Sequence, residues 1–481
     1  MMIVPVATAL VLLAPLCWCA TVYDAVIVGG GLSGLSTARE LAKAGKSFVV
    51  LEARNRTGGR VHNAQLANGG YTEVGAEFVG PTQDEVIKLA SDLGLKLFDT
   101  YNTGDNVIYQ NGKASTYSSS TPVLGAVPPQ DPVTLLQLLS FINDFDNMAS
   151  QINVNNPWNA TNAAKWDSQT FSQYLDGRLL TPAARFLIEE ASASIFSAET
   201  DELSLLYAVS YVAAAGNATT KGSFERLIDT ADGAQAQRVE GGTELLASQL
   251  ATKLGSQNIK LNSPVRSIQK SGATYNVVTS GKTTYTGKHV VVAMSPPLAG
   301  RISYEPKLPA SRDALTQRMP MGSIGKAIAV YDKPFWRQSG KTGQAISDRG
   351  NVRTTFDNSP SDGRFGALMG FIEADQMRAL DNATEQELIN AIQPDYVNYF
   401  GQEANNVRQW IFQRWDLEEY SRGGPTATAG PGVYTTVGPA LRAQVGALHF
   451  AGTESADYWV GYMDGAIRSG QRAAKEVLAS L

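Results

Sequence analysis

The sequence contains few of the residues that bind metal ions or form covalent cross-links. Its 481 residues include two cysteines, Cys17 and Cys19, and three histidines. Without its first 20 residues the chain would have no cysteine for a disulfide, a thiolate metal site or a thioether to a cofactor. The histidines, His62, His289 and His449, are not spaced as metal ligands, and no Ser, His and Asp set typical of hydrolases is evident. We therefore predict no metal site and no hydrolase chemistry.

The chain also lacks an excess of positive charge. It has 40 Lys and Arg against 45 Asp and Glu, for a net charge of −5, and no long basic run. We therefore expect no nucleic-acid partner. Hydrophobic residues make up 43% of the chain. A chain of this length and composition can bury a large core, and at about 150 residues per domain we expect roughly two to three domains.

The first 20 residues, MMIVPVATALVLLAPLCWCA, are almost wholly apolar and end in small residues. This pattern predicts a secretory signal peptide cleaved near Cys19 or Ala20, and hence a secreted protein without a stable membrane anchor. The alternative is an uncleaved anchor, since about 20 apolar residues can span a bilayer. Cleavage is favoured because no linker separates the segment from Tyr23. Sequons that permit glycosylation of an exported chain occur at Asn55, Asn159, Asn217 and Asn382.

The stretch from residue 25 to residue 60 has the pattern of a dinucleotide-binding unit. Residues 25–28 form a short apolar run that predicts a buried strand, and residues 32–43 predict a helix. Between and within them, Gly29, Gly31 and Gly34 have G-x-G-x-x-G spacing. The first glycine permits a tight turn, the second lets backbone approach a pyrophosphate, and the third lets the helix pack on the strand. The free N–H groups of the helix N-terminus would then face the phosphates.

A second predicted strand, residues 48–51, ends at Glu52, where a carboxylate would accept the hydroxyls of an adenosine ribose. The sequence E-A-R-N-R-T-G-G-R follows from Glu52 to Arg60 and adds a second glycine turn flanked by arginines. This pattern resembles the FAD-binding start of the flavin amine oxidase family, which includes monoamine oxidases, polyamine oxidases and L-amino-acid oxidases. The tail, with G-T-E-S and G-Y-M-D-G-A-I-R-S-G-Q-R-A-A, resembles fungal amine oxidases, including those that deaminate the toxin fumonisin.

The resemblance implies non-covalent FAD, because Gly424 stands where mitochondrial monoamine oxidases have a flavin-linked cysteine. Pro425 replaces a tyrosine of the aromatic cage. Of the two candidate catalytic residues, Lys326 would assist reoxidation of the flavin by dioxygen through a water at N5, and Tyr462 would be the surviving aromatic wall. The ordinary alternatives are a surface lysine and a packed core tyrosine. FAD contacts are implied for Gly29, Gly31, Gly34, Glu52, Ala53, Arg54, Gly59, Arg60, Gly75, Ala76, Glu77, Val265, Trp415, Gly452, Glu454, Gly461, Tyr462 and Met463.

We therefore predict an α/β protein. Its Rossmann-like FAD-binding domain is assembled from three segments, 21–97, 240–315 and 416–481. An α+β substrate domain with a helical insertion comprises 98–239 and 316–415. Helices are predicted at residues 133–152, 168–175, 182–197, 201–215, 385–392 and 466–481, and a loop at 115–132. Strands are predicted at 275–279, 283–285, 289–293, 327–330, 364–372 and 447–451.

The implied reaction is FAD-dependent oxidative deamination of a primary amine to an aldehyde or ketone, with ammonia and hydrogen peroxide as the other products. A long-chain amino polyol such as fumonisin is one candidate substrate. An L-amino-acid oxidase would need an arginine facing the flavin, and a polyamine oxidase would need acidic groups along its tunnel. A non-catalytic FAD-binding protein is a further alternative, which Lys326 and Tyr462 argue against. We expect a small amine and dioxygen as reaction partners. A homodimer is one candidate oligomeric state.

Overall fold

The structure is a computed structural model that describes residues 21–119 and 128–481. The predicted signal peptide, and residues 120–127 of the predicted loop, lie outside the described residues. The strands are β1 (Val22–Val28), β2 (Phe48–Leu51), β3 (Asn63–Gln65), β4 (Tyr71–Glu73), β5 (Phe78–Val79), β6 (Leu97–Asp99), β7 (Asp105–Gln110), β8 (Lys113–Ser118), β9 (Gln237–Val239), β10 (Ile259–Lys260), β11 (Val265–Ser271), β12 (Thr274–Thr279), β13 (Thr284–Ala293), β14 (Ser303–Glu305), β15 (Ile324–Tyr331), β16 (Lys341–Ser347), β17 (Thr354–Asp357), β18 (Gly366–Glu373), β19 (Gln409–Arg414) and β20 (Leu448–Ala451).

Helices cover both sheets and form a layer of their own between β8 and β9. They are α1 (Leu32–Lys43), α2 (Asp84–Leu93), α3 (Pro132–Ala149), α4 (Ala163–Asp167), α5 (Phe171–Asp176), α6 (Pro182–Phe196), α7 (Leu205–Ala214), α8 (Phe224–Ile228), α9 (Glu244–Leu254), α10 (Pro296–Ala299), α11 (Ala310–Arg318), α12 (Phe335–Gln338), α13 (Ala374–Ala379), α14 (Glu385–Phe400), α15 (Tyr434–Val437) and α16 (Met463–Ser480).

The first sheet has eight strands in the order β10-β2-β1-β13-β12-β11-β14, and β20 pairs with β13. Strand β1 is parallel to β2 and to β13, and β13 is parallel to β20. The predicted Rossmann-like unit is therefore present, with α1 crossing from β1 to β2. Because β20 is the last strand, the end of the chain is brought back to its beginning.

Helices α1 and α16 pack closely through small residues. A Cβ added to Gly470 would lie 2.1 Å from the carbonyl oxygen of Ser33, so only glycine permits this approach. The Ser33 and Ser469 hydroxyls are 2.9 Å apart, and Thr37 Oγ1 donates to the Gly470 carbonyl at 3.0 Å. This contact aligns the N-terminal turns of both helices with the same edge of the sheet.

The second sheet has seven strands in the order β19-β15-β18-β17-β16-β7-β8. Strand β15 is buried along its whole length and pairs antiparallel with β18 and β19. Because β15 lies between two strands and is buried on both faces, its sequence is the apolar run I-G-K-A-I-A-V-Y, in which Lys326 is the one charged residue. This sheet therefore carries Lys326 on a rigid, fully covered element.

Several predicted helix boundaries are corrected by capping. Thr170 and Gln173 form a reciprocal capping box, so the helix predicted at 168–175 is α5 and starts at Phe171. The short helix α4 before it was not predicted. Ser204 accepts from the Tyr207 amide at 3.3 Å, which starts α7 four residues later than predicted. Side-chain capping thus outweighs apolar periodicity in setting these starts.

Two predicted boundaries, the end of a helix at residue 392 and the gap between strands at 286–288, do not occur. Helix α14 continues through Pro394 to Phe400, because its last turns are held by Tyr396 and Tyr399, whose hydroxyls donate to buried carbonyls at 2.7 and 2.6 Å. The predicted strands at 283–285 and 289–293 are one strand, β13. Its Gly287 lies against β1, where an added Cβ would be 2.9 Å from a Val26 methyl.

The predicted loop at 115–132 is also partly wrong. Its first residues belong to the exposed edge strand β8, which pairs antiparallel with β7, and its last residue begins α3. Within residues 21–119 and 128–481, no helix has both the length and the apolar character needed to cross a bilayer.

Candidate active site

One large cavity runs from the glycine turn of α1 to the inner face of the second sheet, with a volume of about 340 Å³. Most of the predicted site residues line it, although they come from the two ends and the middle of the chain. These are Gly29, Gly31, Glu52, Ala53, Arg54, Gly59, Arg60, Gly75, Ala76, Glu77, Val265, Lys326, Trp415, Gly452, Gly461, Tyr462 and Met463. The cavity wall does not include Gly34 or Glu454.

The glycine turn forms one end of this cavity, and its glycines differ in what surrounds them. Gly29 has φ +108, and an added Cβ would be 2.5 Å from the Ala293 carbonyl oxygen. A Cβ on Gly34 would be only 2.0 Å from the Gly29 carbonyl oxygen, so this glycine allows α1 to pack on β1. A Cβ on Gly31 would meet no atom closer than 3.8 Å, so this position has room for a side chain.

Glu52 lies beside this turn at the end of β2 and is 3% exposed. Its two carboxylate oxygens accept from the backbone N–H groups of Gly30 at 2.7 Å and Arg54 at 2.9 Å. Each oxygen accepts one of these bonds and retains a lone pair for another. The carboxylate is thus held rigidly at the cavity with capacity for two hydroxyl donors.

Two arginines of the second glycine turn line the same region. Arg54 donates to Glu418 at 3.1 Å and to Ser421 at 2.8 Å. Arg60 donates to the Pro425 carbonyl at 2.6 Å and to Glu454 at 2.7 Å. Glu454 therefore pairs with Arg60 and orients its guanidinium, and the contact with the cofactor that the resemblance implied for Glu454 stays a prediction.

This arrangement fits a dinucleotide. Helix α1 begins at Leu32 without a side-chain cap, so its first N–H groups are available to an anion. Gly31 leaves room for a diphosphate. The Glu52 carboxylate can accept hydrogen bonds from ribose hydroxyls, and the arginines supply positive charge. Helix α16 likewise begins at Met463 without a side-chain cap, and Met463 lines the cavity farther along.

Lys326 lies on the cavity wall and is 5% exposed. Its Nζ donates to the carbonyl oxygens of Glu73 at 3.2 Å and Gly75 at 2.8 Å, and to Glu77 Oε2 at 2.8 Å. The surface-lysine alternative is therefore wrong, since this side chain is an interior group with a carboxylate partner.

A second buried ion pair lies directly behind the first. Arg238 pairs with Glu73 at 2.5 Å and donates to Asn358 Oδ1 at 2.7 Å, and Asn358 Nδ2 donates to Glu77 Oε2 at 2.5 Å. Burial raises the pKa of Glu73, and the charge of Arg238 opposes that rise. The network thus joins the segment around Glu73 to the second sheet.

The end of the cavity beyond Lys326 is aromatic and apolar. The rings of Tyr462 and Trp459 are 4.8 Å apart and nearly perpendicular, and Tyr211 of α7 lies 6.2 Å from Tyr462. Burial raises the pKa of both tyrosines, so their hydroxyls stay protonated. Phe371 of β18 faces Lys326, with the Nζ 5.6 Å from the ring centre. The cavity therefore gains a second tyrosine from the helical layer, although Pro425 replaces the family's tyrosine.

Sequence reasoning missed Tyr211, Phe371, Ser194 and Gln235 as lining residues. Tyr211, Phe371 and Ser194 lie in ordinary helical or strand patterns, and Gln235 lies in the turn between α8 and β9, so no local signal marks them as lining residues. Tyr211 reaches the cavity because the turn before α16 includes Gly461, at which an added Cβ would be 2.4 Å from the Tyr211 hydroxyl. The small residue at that turn was the only indication of a close approach.

Behind Ser194 lies a buried acidic cluster. The Ser194 and Thr354 hydroxyls are 3.0 Å apart, and Thr354 donates to Glu190 Oε1 at 3.2 Å. Burial raises the pKa of Glu190 to about 7, despite the opposing charge of Arg353, and burial also raises the pKa of Glu373 well above its usual range. The cluster is thus less negative near neutral pH than its composition suggests, and Ser194 separates it from the cavity.

The histidines lie away from the cavity wall. His289 Nδ1 and His449 Nε2 are 3.1 Å apart on β13 and β20, and His449 Nδ1 contacts Glu476 at 3.0 Å. His62 Nδ1 contacts Glu244 at 2.8 Å. These contacts link strands and helices, as expected of packing residues.

The sheet topology and the glycine turn, with two helix N-termini at one cavity, define a dinucleotide-binding protein of the Rossmann type. Residues 32–478 match the family model described as flavin containing amine oxidoreductase. A probable flavin-containing monoamine oxidase A of Dictyostelium discoideum is 36% identical over 457 residues, which is 95% of this chain and 98% of that protein.

Solved structures agree. Wild-type putrescine oxidase bound to putrescine superposes with a TM-score of 0.90 at 30% identity, covering 96% of this chain and 100% of the other. Cyclohexylamine oxidase from Brevibacterium oxydans IH-35A gives a TM-score of 0.89 at 31% identity, covering 96% and 99%. The chain belongs to the flavin-containing amine oxidoreductase family and is an FAD-dependent amine oxidase. Its FAD is held without a covalent bond, and the chain has no cysteine beyond residue 19 to form one.

Proposed function

We propose that the protein oxidises primary monoamines with an apolar or neutral body. The reaction consumes the amine, dioxygen and water and yields an aldehyde or ketone, ammonia and hydrogen peroxide. The observation that supports this substrate class is the composition of the cavity beyond Lys326. Tyr211, Tyr462, Phe371 and Ile195 line it together with the neutral polar residues Ser194 and Gln235.

The charged groups on the described part of the cavity wall are accounted for by other roles. Its carboxylates are Glu52, Glu77 and Glu419. Glu52 is held at the glycine turn, Glu77 is paired with Lys326, and Glu419 lies 3.7 Å from Arg266 at the outer end. The lining arginines, Arg54, Arg60, Arg266 and Arg301, come from the glycine turns and from the edge near β11 and α10, and none comes from α6, α7, β15 or β18.

A second charged group on the substrate would therefore find no partner. Burying an unpaired ammonium or carboxylate in an apolar site has a large free-energy cost. This argues against a polyamine, whose distal end carries an ammonium, and against an amino acid, whose carboxylate would need an arginine. A long-chain amino polyol remains a candidate, because Ser194 and Gln235 can exchange hydrogen bonds with hydroxyl groups.

The proposed roles of this chain's residues follow from their positions. The α1 N-terminus, Arg54 and Arg60 would hold the FAD diphosphate, and Glu52 would accept from the ribose hydroxyls. Bound FAD would supply the redox chemistry, as acceptor of a hydride from the carbon that bears the unprotonated amine and as electron donor to dioxygen. The rings of Tyr462 and Tyr211 would position the neutral amine nitrogen and exclude water from it. Lys326 would present a fixed ammonium at the cavity wall.

The proposal is tested by hydrogen-peroxide release with matched substrate pairs. An alkyl monoamine should exceed the diamine of the same carbon count by at least about tenfold in kcat/KM, because one unpaired buried charge outweighs about 1.4 kcal/mol. Phenethylamine should exceed phenylalanine, which differs from it by one carboxylate, by a similar factor. A long-chain amino polyol belongs in the same panel.

Each contrary result points to another function. Fastest turnover of the diamine would identify a polyamine oxidase, and fastest turnover of phenylalanine would identify an L-amino-acid oxidase. A protein that binds FAD but releases no peroxide with any amine would be the non-catalytic alternative.

A further inference from the structure

Lys326 donates to three acceptors, which is the full donor capacity of an ammonium. The acceptors are the carbonyl oxygens of Glu73 and Gly75 and one carboxylate oxygen of Glu77, all within 3.2 Å of Nζ. A neutral amine has two N–H groups and could not satisfy all three. The geometry therefore describes a charged lysine without a lone pair, which cannot take a proton from the substrate.

Glu77 is the one charged partner in this set, and the chain holds it in place from the other side. It is 2% exposed, and its Oε2 accepts from both Lys326 Nζ and Asn358 Nδ2. Its Oε1 is buried and makes no hydrogen bond within the described residues. A carboxylate in this position is stable only if a neighbouring cation compensates it, and Lys326 does so at 2.8 Å.

The buried charges in this region are balanced. Lys326 and Arg238 carry the positive charges, and Glu77 and Glu73 carry the negative ones. Of these four, Lys326 and Glu77 line the cavity, whereas Glu73 and Arg238 lie behind it. Whatever occupies the cavity next to Lys326 therefore meets an ion pair of nearly zero net charge.

We infer that Glu77 is the positioning residue of Lys326: it fixes the ammonium on the cavity wall and cancels its charge toward the cofactor. This inference rests on the proposed site and gives Glu77 a role other than direct contact with FAD. Lys326 then presents an ammonium of fixed orientation that is neither a base nor a net positive charge. Removing either partner should change the electrostatic potential in the cavity, and removing both should restore it.

The test is a charge-compensation cycle read out as the midpoint potential of bound FAD, measured by reductive titration without any amine. Reduction places additional negative charge in the cavity, so it is favoured by an uncompensated lysine. Glu77→Gln should shift the two-electron midpoint potential upward by about 30 mV or more, which corresponds to a tenfold change in the reduction equilibrium. Lys326→Met should shift it downward, and the double variant should return close to the parent value.

Two further variants separate charge from folding. Glu77→Asp keeps the charge and should hold the potential near that of the parent. If Glu77→Gln does not fold, the comparison rests on Lys326→Met, which should stay shifted downward, and on the double variant, which should return to the parent value. Glu73→Gln makes the same chemical change at an equally buried site behind the cavity wall, and its shift should be clearly smaller. A Glu77→Gln potential equal to the parent value, or a double variant that stays shifted, would overturn the inference.

This outcome is distinguishable from failure of the proposed function. The titration needs FAD binding but no substrate, so a parent protein that is reduced chemically yet oxidises no amine would refute the proposed function and leave the role of Glu77 testable. Conversely, an active parent with an unshifted Glu77→Gln potential would refute only the role of Glu77.

Discussion

Replacing Lys326 by methionine is expected to slow the reoxidation of the reduced enzyme by dioxygen about 100-fold, as for the loss of one preorganised polar group in an active site. Methionine is unbranched and one atom shorter than lysine, and it removes the ammonium that Glu77, Glu73 and Gly75 hold at the cavity wall. The measurement is stopped-flow reoxidation after anaerobic reduction. The same change should lower the free energy of unfolding by about 3–5 kcal/mol, because Glu77 is left buried without its cation.

The control is Lys113→Met, which makes the same substitution on the exposed edge strand β8. It should leave both the reoxidation rate and the unfolding midpoint unchanged. If the Lys326→Met enzyme reoxidises as fast as the parent, Lys326 has no part in the reaction with dioxygen.

Replacing Gly31 by valine should weaken FAD binding at least about 100-fold while leaving the apoprotein folded. The added side chain meets no protein atom closer than 3.8 Å at Cβ, and the backbone there has an ordinary φ of −76, so the substitution adds little strain. It instead fills the space at the start of α1 through which backbone would approach the diphosphate. The measurement is titration of the apoprotein with FAD, together with thermal unfolding without FAD.

Gly177→Val is the matched control, because Gly177 also has open space around its Cβ and φ −84, but lies at the end of α5 away from the cavity. It should bind FAD like the parent. Parent-like affinity in Gly31→Val would contradict the placement of the diphosphate at this turn.

The first βαβ unit could be predicted in detail because its signals are local. The helix at residues 32–43 and the strand at 48–51 have the predicted bounds, since a glycine turn, an apolar helix face and a buried strand all lie within 30 residues of sequence. The fold class followed from this unit and from the resemblance at both ends of the chain. Gly34 likewise lies at the helix–strand contact that its motif position predicts.

Much of the second sheet could not be predicted, because its strands do not alternate in a recognisable way. Strand β8 is rich in Ser and Thr and exposed at the sheet edge, and β15 is buried on both faces. Long-range packing also overrode two local break signals, at Gly287 in β13 and at Pro394 in α14.

The partners of the site residues are likewise non-local. Lys326 meets Glu73 and Glu77 across about 250 positions of sequence, and Arg60 meets Glu454 across nearly 400. The motifs identified the segments that build the cavity, but not that Glu454 pairs with an arginine or that Glu77 pairs with the lysine. Such pairings depend on how the two sheets pack against each other, and a short stretch of sequence does not contain that information.

The central claim is that three distant segments form one cavity that holds FAD without a covalent bond. Acid precipitation of the purified protein tests it most directly. We predict a yellow protein whose flavin absorbance moves entirely to the supernatant, with one FAD released per chain. A colourless protein that takes up no added FAD would contradict the cavity's assignment, and colour retained in the pellet would contradict the mode of attachment.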